Sequence, residues 1–300
     1  SLVKAGNGTT TIPTGISLNN AGTVRVTGGA LSITGPIVQV VGATLAGGSW
    51  IVSGNGELAI PAAISASDAL ITLDGPSALF ASISGLASNA GRLELLGGRQ
   101  WSLPTLVNSG TVYLNGGSSL TISGPLANSG LVSIQDGVLL ALGGGQSSGE
   151  FAAAAPGRAQ FAGDHQFSLA AKLSGGGSFS FTSGTMAWSG TMTSVGKVAF
   201  EGAMFTISAT INVPARVRVS AGIVRLDAAA SFARAQFEGG SIDGPGDLSV
   251  TSRMDWIGGE MVGTGRLLIS PGTSLVINAA MPLVLERALE NSGTVSWQFG

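Results

Sequence analysis

A repeating unit dominates this sequence, and its clearest copies lie between Asn108 and Ile134. The stretch reads NSGTVYLNGGSSLTISGPLANSGLVSI, so Asn-Ser-Gly returns 20 residues after its first occurrence. Each copy leads into a short segment in which polar and apolar residues alternate. Alternation with a period of two is typical of a strand with one buried face. Repetition of the whole unit at this interval indicates a repeat architecture.

The shared core of the unit is a glycine with apolar residues at the second and fourth positions after it. Eleven glycines begin such a segment: Gly22, Gly56, Gly91, Gly110, Gly130, Gly177, Gly196, Gly222, Gly246, Gly265 and Gly293. Several neighbours are 19 or 20 residues apart, and longer gaps are what loops of variable length produce. A second element follows, in which one or two glycines precede an apolar-x-apolar segment, as from Gly116-Gly117 to Leu120 and Ile122.

Two architectures use short alternating strands separated by glycine turns. In an antiparallel sandwich or barrel the Gly-Gly pairs would be hairpin turns, but successive hairpins have no reason to keep the same turn. In a solenoid each turn lies over its predecessor, so one geometric requirement recurs. We therefore predict an all-β fold, a right-handed parallel β-helix with about 13 coils of 19–28 residues. Only VPARVRV and LVLERALE carry the charge to suggest a helix, and the first alternates like a strand.

The turn residues have a physical role in this fold. Glycine supplies positive φ where the chain corners between faces. Asparagine tolerates the left-handed region, and its amide can hydrogen-bond to the asparagine one coil away. Five copies of the repeat place an asparagine two residues before the glycine, at Asn20, Asn89, Asn108, Asn128 and Asn291. We therefore expect ladders of asparagine side chains along the stack.

The repeat spans the chain, so we expect a single β-helix domain over residues 1–300. Its coils are regular over 1–148 and 246–300 and more irregular over 149–245. Neither end carries a polar or charged cap, which an open coil needs because it exposes unpaired backbone and apolar core. The sequence therefore predicts a segment of a longer chain, ends that are covered by other domains, or a subunit that stacks end to end into a filament.

Composition excludes several classes of function. Charged residues make up only 10% of the chain and the net charge is −2, which gives no electrostatic basis for nucleic-acid binding. The chain has no cysteine, so it can form neither a disulfide nor a thiolate metal site. The longest apolar run, SLVINAAMPLVL, is too short to span a membrane and contains Asn278 and Pro282.

Outward strand positions would carry the chemistry of a β-helix enzyme. Among them are Arg25, Glu57, Arg92, Glu94, Tyr113, Ser133, Lys197, Arg225, Asp247 and Arg266. The charges are scattered, and no two neighbouring coils present the paired carboxylates that glycoside hydrolysis needs. Arg92 and Glu94 share a face and are expected to form a solvated pair. We therefore predict no catalytic residue, no cofactor-binding residue and no metal ligand.

Three further features each have a structural interpretation and a functional one. The single histidine, His165 in GDHQF, follows Asp164, but adjacent strand residues point to opposite faces, so we expect a loop histidine. DGPGD, residues 243–247, could be a calcium turn, yet no such motif recurs in every coil, which favours a plain turn. The tryptophans could form a sugar-stacking strip, but Trp50, Trp101, Trp188 and Trp297 take inward positions, which favours core filling and leaves Trp256 undecided.

Units such as NAGTVRVTGGALSI, NSGTVYLNGGSSLTI and NSGTVSW resemble the degenerate repeats of large bacterial secreted and surface proteins. These are autotransporter passengers and filamentous-haemagglutinin-like adhesins. The resemblance implies export, a rod-shaped body and an adhesive or matrix role. We expect a non-enzymatic structural or adhesive rod, extracellular or at the cell surface, that self-associates, binds an unidentified glycan or host ligand, and does not span the membrane. The alternatives are a carbohydrate-active β-helix enzyme with its site in 149–245, and a phage or secretion-apparatus fibre.

Overall fold

The structure, a computed structural model, describes residues 1–194 and 196–298. The chain divides into two compact units, Ser1–Ala141 and Leu142–Gly300. Each unit is a parallel β-solenoid, and their turns total about 15, compared with the 13 or so predicted. The prediction of an all-β solenoid of stacked parallel coils is therefore confirmed. The right-handed sense and the single domain over 1–300 stay predictions.

The first unit contains short strands, most of them of two to five residues. In chain order they are β1 (Leu2–Lys4), β2 (Thr9–Ile12), β3 (Thr23–Val26), β4 (Ala30–Ile33), β5 (Val40–Val41), β6 (Thr44–Leu45), β7 (Ser49–Ser53), β8 (Glu57–Ala59), β9 (Ala66–Ser67), β10 (Leu70–Asp74), β11 (Leu79–Phe80), β12 (Ser88–Asn89), β13 (Arg92–Leu96), β14 (Gln100–Leu103), β15 (Leu106–Asn108), β16 (Thr111–Leu114), β17 (Ser119–Ile122), β18 (Leu126–Asn128), β19 (Leu131–Ile134) and β20 (Val138–Ala141). A 3-10 helix, Ala81–Ile83, follows β11.

These strands form rows in which each strand pairs with its counterpart one turn away. One row is β1-β3-β7-β10-β13-β16-β19, a second is β2-β4-β8-β11, and further rows are β6-β9-β12-β15-β18 and β14-β17-β20. The pairs in these rows are parallel, and the hairpin β5–β6 is antiparallel. The segments that follow Gly22, Gly91, Gly110 and Gly130 therefore lie in one row, whereas the segment after Gly56 lies in the second row. The parallel pairing excludes the antiparallel sandwich.

The second unit has the same plan with longer strands in its middle. In chain order they are β21 (Gly145–Ser147), β22 (Glu150–Ala153), β23 (Arg158–Phe161), β24 (His165–Phe167), β25 (Lys172–Gly175), β26 (Ser178–Phe181), β27 (Thr185–Trp188), β28 (Thr191–Ser194), β29 (Lys197–Ile207), β30 (Ile211–Leu226), β31 (Ala230–Phe237), β32 (Ser241–Asp243), β33 (Leu248–Trp256), β34 (Glu260–Met261), β35 (Arg266–Ile269), β36 (Ser274–Ile277), β37 (Val284–Leu285), β38 (Ala288–Asn291) and β39 (Thr294–Trp297).

The long strands β29, β30, β31 and β33 each contribute to more than one face. Register shifts, or bulges, interrupt the pairing of β29 with β30, of β30 with β31 and of β31 with β33. A bulge bends a strand without ending it, so one strand can turn a corner of the coil. Both sequence segments with helix-like charge are strands: VPARVRV lies in β30, and LVLERALE includes β37 and most of β38.

Close contact between turns explains most of the glycines that begin a repeat. Arg92 pairs with Thr111, and Thr111 pairs with Leu131, so the glycines before them lie one above another. A Cβ on Gly110 would lie 2.1 Å from the carbonyl oxygen of Gly91, and one on Gly130 would lie 2.1 Å from that of Gly110. Glycine is required here because the backbone of the neighbouring turn occupies the side-chain space.

The prediction that the turn glycines have a positive φ therefore holds for only some of the turns. Among the eleven repeat glycines, Gly222 alone has a positive φ. The Gly-Gly pairs of the second element do have it, with φ of 65° at Gly116 and 73° at Gly117. No asparagine in the described residues has a positive φ, so these asparagines do not use the left-handed region that they tolerate.

The asparagine ladder itself is confirmed in the first unit. Asn89 donates from Nδ2 to Oδ1 of Asn108 at 2.7 Å, and Asn108 donates in the same way to Asn128 at 2.8 Å. All three side chains are buried. Buried amides are costly unless they are hydrogen-bonded, and stacking identical amides in register supplies both donor and acceptor.

Stacked aromatic rings fill part of the second unit's core. The rings of Phe161, Phe181 and Phe200 follow one another at centroid distances of 5.5 Å with interplanar angles of 18°. They occupy the fourth position of paired strands β23, β26 and β29, which points inward. The outward positions of the same strands and their successors, β30, β31 and β33, face solvent, and these carry most of the charge discussed below.

Candidate functional site

None of the predicted outward side chains is buried, and the charged ones mostly pair locally. Arg92 and Glu94 form the expected solvated pair, with Nε and Oε1 2.6 Å apart and exposures of 48% and 18%. The guanidinium of Arg92 also lies 5.3 Å from the ring centre of Tyr113. Such exposed pairs add little stability and bring no two carboxylates together.

Two more predicted arginines are neutralised in the second unit. Arg225 lies 2.8 Å from a carboxylate oxygen of Asp227 and 3.4 Å from one of Asp243. Arg266 lies 2.6 Å from Asp247 and 2.9 Å from Glu290. Hydrogen bonds from Arg266 hold the pKa of Asp247 below its ordinary value. These arginines bind carboxylates of their own chain.

A column of cations lies on the outer face of β29, β30, β31 and β33. Lys197 pairs with Arg216, Arg216 with Arg234, and Arg234 with Arg253, so four successive turns place a basic residue at one register position. We call these four residues the basic column. Neighbouring strands in a sheet are about 4.8 Å apart, so the column crosses the strands with one cation per turn.

Hydrogen bonds organise the face beside the basic column. Arg218 donates from Nη2 to Glu238 at 2.6 Å and from Nη1 to Glu201 at 3.1 Å, so it bridges the turns on either side of its own. The hydrogen bond from Arg218 holds the pKa of Glu238 below its ordinary value. Gln236 donates to Glu238 at 2.5 Å and accepts a hydrogen bond from Arg216. This network of hydrogen bonds holds the side chains beside the basic column in place.

The basic column keeps an excess of positive charge. Arg253 pairs with Asp255, with Nη2 and Oδ1 2.6 Å apart. Within residues 1–194 and 196–298, Lys197, Arg216 and Arg234 form no ion pair within 4.0 Å. Three consecutive turns therefore present cations without a direct ion pair in the described chain, although the charges of Lys197 and Arg216 contribute to the lowered pKa of Glu238 beside them.

A shallow groove of about 130 Å³ accompanies these cations. It is lined by Arg216, Arg234, Ala235, Gln236, Arg253 and Asp255. The groove offers guanidinium donors, an amide and one carboxylate. Such a surface can bind anions and hydroxyl groups through charge-assisted hydrogen bonds.

The same groups are poorly suited to proton transfer. Arginine stays protonated at any ordinary pH, and the pKa of Arg253 is raised further by its hydrogen bond to Asp255. A carboxyl that acts as general acid needs a raised pKa, whereas that of Glu238 is lowered. The arrangement favours binding over acid–base chemistry.

Of the four column residues, sequence reasoning identified only Lys197. The other three follow VPA, SFA and VTS rather than a repeat glycine, so the glycine pattern does not mark them. A signal was present in the spacing, because basic residues recur at 197, 216, 234 and 253, close to the length of one turn.

The prediction of a loop histidine at position 165 is wrong. His165 begins β24 and is completely buried, with Nε2 2.9 Å from Oγ of Ser147 and its ring stacked 4.3 Å from that of Phe167. Burial lowers the pKa of His165 from 6.5 to about 4, and the backbone of Gly144 opposes this shift in part. The histidine is a neutral core residue at physiological pH.

The tryptophans follow the core-filling prediction in part. Trp50 and Trp188 are fully buried, and Trp256, which was undecided, is buried as well. Trp101 is half-buried. Trp297 occupies the inward register opposite Ile277, yet it is 67% exposed because no described turn covers it. These tryptophans do not form a continuous exposed strip.

A buried arginine binds the backbone of the DGPGD turn. Arg287 is buried and donates from Nη2 to the carbonyl oxygens of Gly244 and Gly246, at 2.9 and 3.4 Å. Asp243 and Asp247 pair with Arg225 and Arg266. In the part of the chain that the structure describes, no three His, Asp or Glu side chains lie close enough together to hold a metal ion. The turn is therefore held by a guanidinium of the same chain.

The fold and this surface define the protein as a parallel β-solenoid with a charged lateral face. No protein-family model, curated protein or solved structure matches the chain. Across residues 1–194 and 196–298, no helix has the length and apolar character needed to cross a membrane.

Proposed function

We propose that this protein is a non-enzymatic structural or adhesive rod of a bacterial cell surface or extracellular matrix. The observation that supports it most is the in-register stacking of like on like within each unit, as in the asparagine ladder and the column of repeat glycines. Stacked turns make an extended, stiff body whose lateral surface is long relative to its mass. The resemblance of the repeats to autotransporter passengers and filamentous-haemagglutinin-like adhesins supports the location.

Self-association is part of the proposal. The last described turn places Val295 over Leu275 and Trp297 over Ile277, with exposures of 37% and 67% for Val295 and Trp297. An exposed strand edge with apolar side chains is a template for further pairing. We expect a parallel turn of a second molecule to pair with this edge.

A carbohydrate-active enzyme is the second candidate, and one observation favours it. Such an enzyme requires at least three charged residues to converge on adjacent coils, and Lys197, Arg216 and Arg234 do converge. The convergence supplies binding groups for a polymer. The carboxyl of Glu238 beside the column has a lowered pKa, whereas acid-catalysed cleavage requires a raised one.

Product analysis and electron microscopy test the two candidates together. The purified protein is incubated with neutral and acidic polysaccharides, and new reducing ends and unsaturated products are measured over a day. The rod predicts no products and stiff, straight particles in negative stain. Shortened polymers would refute the non-enzymatic proposal, and compact round particles would refute the rod.

A further inference from the structure

We propose that the basic column binds a linear acidic polysaccharide whose chain lies along the stacking direction, across the strands. The inference rests on the proposed adhesive function, because it names the ligand class of the rod. The column residues Lys197, Arg216, Arg234 and Arg253 supply the charges, and Gln236 and Asp255 supply neutral and hydroxyl-accepting contacts beside them.

The in-register cations of the basic column destabilise the sheet when no ligand is bound. Like charges placed directly opposite on neighbouring strands repel each other and destabilise the sheet. Lys197, Arg216 and Arg234 lie in this relation over three consecutive turns, and none of them forms a direct ion pair with a carboxylate of the described chain. By contrast, Arg225 faces Asp243 across its strand pair. A polyanion lying over the column would remove the repulsion, and this gain favours binding.

The direction and spacing of the cations favour a polymer with evenly spaced charges. The column provides one cation per turn, about 4.8 Å apart, in a straight row. A small anion could engage only one or two of them. A chain with one carboxylate on each sugar can pair with successive turns, and guanidinium groups bind carboxylates with two parallel hydrogen bonds.

The surroundings of the column favour a sugar polymer over a nucleic acid. Single-stranded nucleic acids bind through exposed aromatic side chains on which bases stack. The aromatic residues of the described part of 197–256 all point inward and are buried: Phe200, Phe205, Phe232, Phe237 and Trp256. Sugar hydroxyls can instead donate to Asp255 and exchange hydrogen bonds with Gln236, both of which line the groove.

Calorimetric titration with sodium alginate, which carries one carboxylate on every sugar, tests the inference. We expect the wild-type protein to bind alginate with an affinity that falls as salt is added. It should not bind alginate whose carboxylates have been esterified. Arg216→Gln combined with Arg234→Gln should weaken binding by tenfold to about a hundredfold, since each arginine forms charge-assisted hydrogen bonds.

A matched pair of substitutions controls for net charge. Arg92→Gln combined with Arg225→Gln removes two arginines that are not members of the column, and we expect its affinity to stay within about twofold of wild type. Arg216→Lys combined with Arg234→Lys should keep most of the affinity. The urea midpoint of the double glutamine variant should not fall, because the substitution relieves repulsion; a lower midpoint would mean that the arginines stabilise the fold.

Three results would overturn the inference: no binding by the wild type, equal binding of esterified alginate, or unchanged affinity in the Arg216/Arg234 glutamine variant. Tighter binding of a single-stranded DNA oligomer through the same arginines would show that the ligand class is wrong. Size-exclusion chromatography of the alginate after titration separates this failure from that of the proposed function. Shortened alginate refutes the non-enzymatic rod and leaves the binding site intact, whereas intact alginate without binding refutes the site alone.

Discussion

Gly110 illustrates how a single residue is fixed by the turn beside it. Its side-chain space is occupied by the carbonyl oxygen of Gly91, 2.1 Å from an ideal Cβ. The Gly110→Ala substitution therefore forces two backbones apart, and we expect it to lower the free energy of unfolding by roughly 3 kcal/mol. Urea denaturation followed by circular dichroism measures the change.

Gly22 is the matched control, since it begins the same repeat motif. A Cβ there would meet nothing within 4 Å, and its φ is not positive. Gly22→Ala should be neutral or stabilise by about 0.5 kcal/mol through the unfolded chain. Equal losses in both variants would show that close contact between turns is not what selects glycine.

His165 should make the protein sensitive to mild acid. Its pKa is about 4 in the folded protein and 6.5 when unfolded, so between these values only the unfolded chain binds the proton. The free energy of unfolding therefore falls as the pH drops from 6.5 towards 4, by at most about 3 kcal/mol. Urea midpoints measured across this range should show the loss.

Replacement of His165 by methionine isolates its share of the acid sensitivity. Methionine is the residue one turn away in register, at Met186, so the His165→Met side chain suits this core. The variant, combined with Ser147→Ala to remove the unpaired hydroxyl, should lose most of the pH dependence between 6.5 and 4. An unchanged profile would mean that carboxylates, rather than the histidine, dominate it.

At the scale of elements, the asparagine ladder ties β12, β15 and β18 together. Asn108 is its central member and takes part in both ladder bonds. The Asn108→Ala substitution leaves buried polar atoms of Asn89 and Asn128 without these bonds, and we expect it to cost about 2–3 kcal/mol of stability. Equilibrium unfolding in urea gives the value.

Asn291 provides the comparison because it stands at the same place in an Asn-Ser-Gly unit but is exposed. Its Oδ1 accepts only a local hydrogen bond from the Gly293 amide at 3.0 Å. Asn291→Ala should cost less than about 1 kcal/mol. If both substitutions were equally mild, the ladder would contribute specificity of register rather than stability.

Local patterns predicted the strands well, because the alternation of apolar and polar residues within a strand identifies its buried face. The strand after Gly110, for example, places Val112 and Leu114 inward, as the apolar positions indicate. The asparagine ladder was predictable for the same reason, since its members share one motif. The parallel stacking followed from repetition of that motif.

The basic column and the buried histidine could not be obtained in this way. The register of Arg216 with Arg234 depends on the bulges and corners of β30 and β31, which no local motif specifies. His165 lies inward because Ser147 of the preceding turn and Phe167 of its own strand contact the ring, although the flanking Asp164 and Gln166 suggest a loop. In both cases the contacts come from a neighbouring turn.

At the scale of the whole molecule, each unit is bonded mainly between adjacent turns. Stability in such an architecture is a sum over turns and the interfaces between them. The effects of Gly110→Ala and Asn108→Ala should therefore stay close to the turns they alter.

The parallel register also determines how a unit responds to tension. The backbone hydrogen bonds between turns lie along the stacking direction, so a pull along that direction reaches them one layer after another. A turn such as Gly91 to Gly110 advances the stack by about 4.8 Å but contains about 65 Å of extended polypeptide. Each turn that unwinds would therefore extend more than tenfold along the direction of the pull and dissipate load. The remaining turns would stay folded and could unwind later.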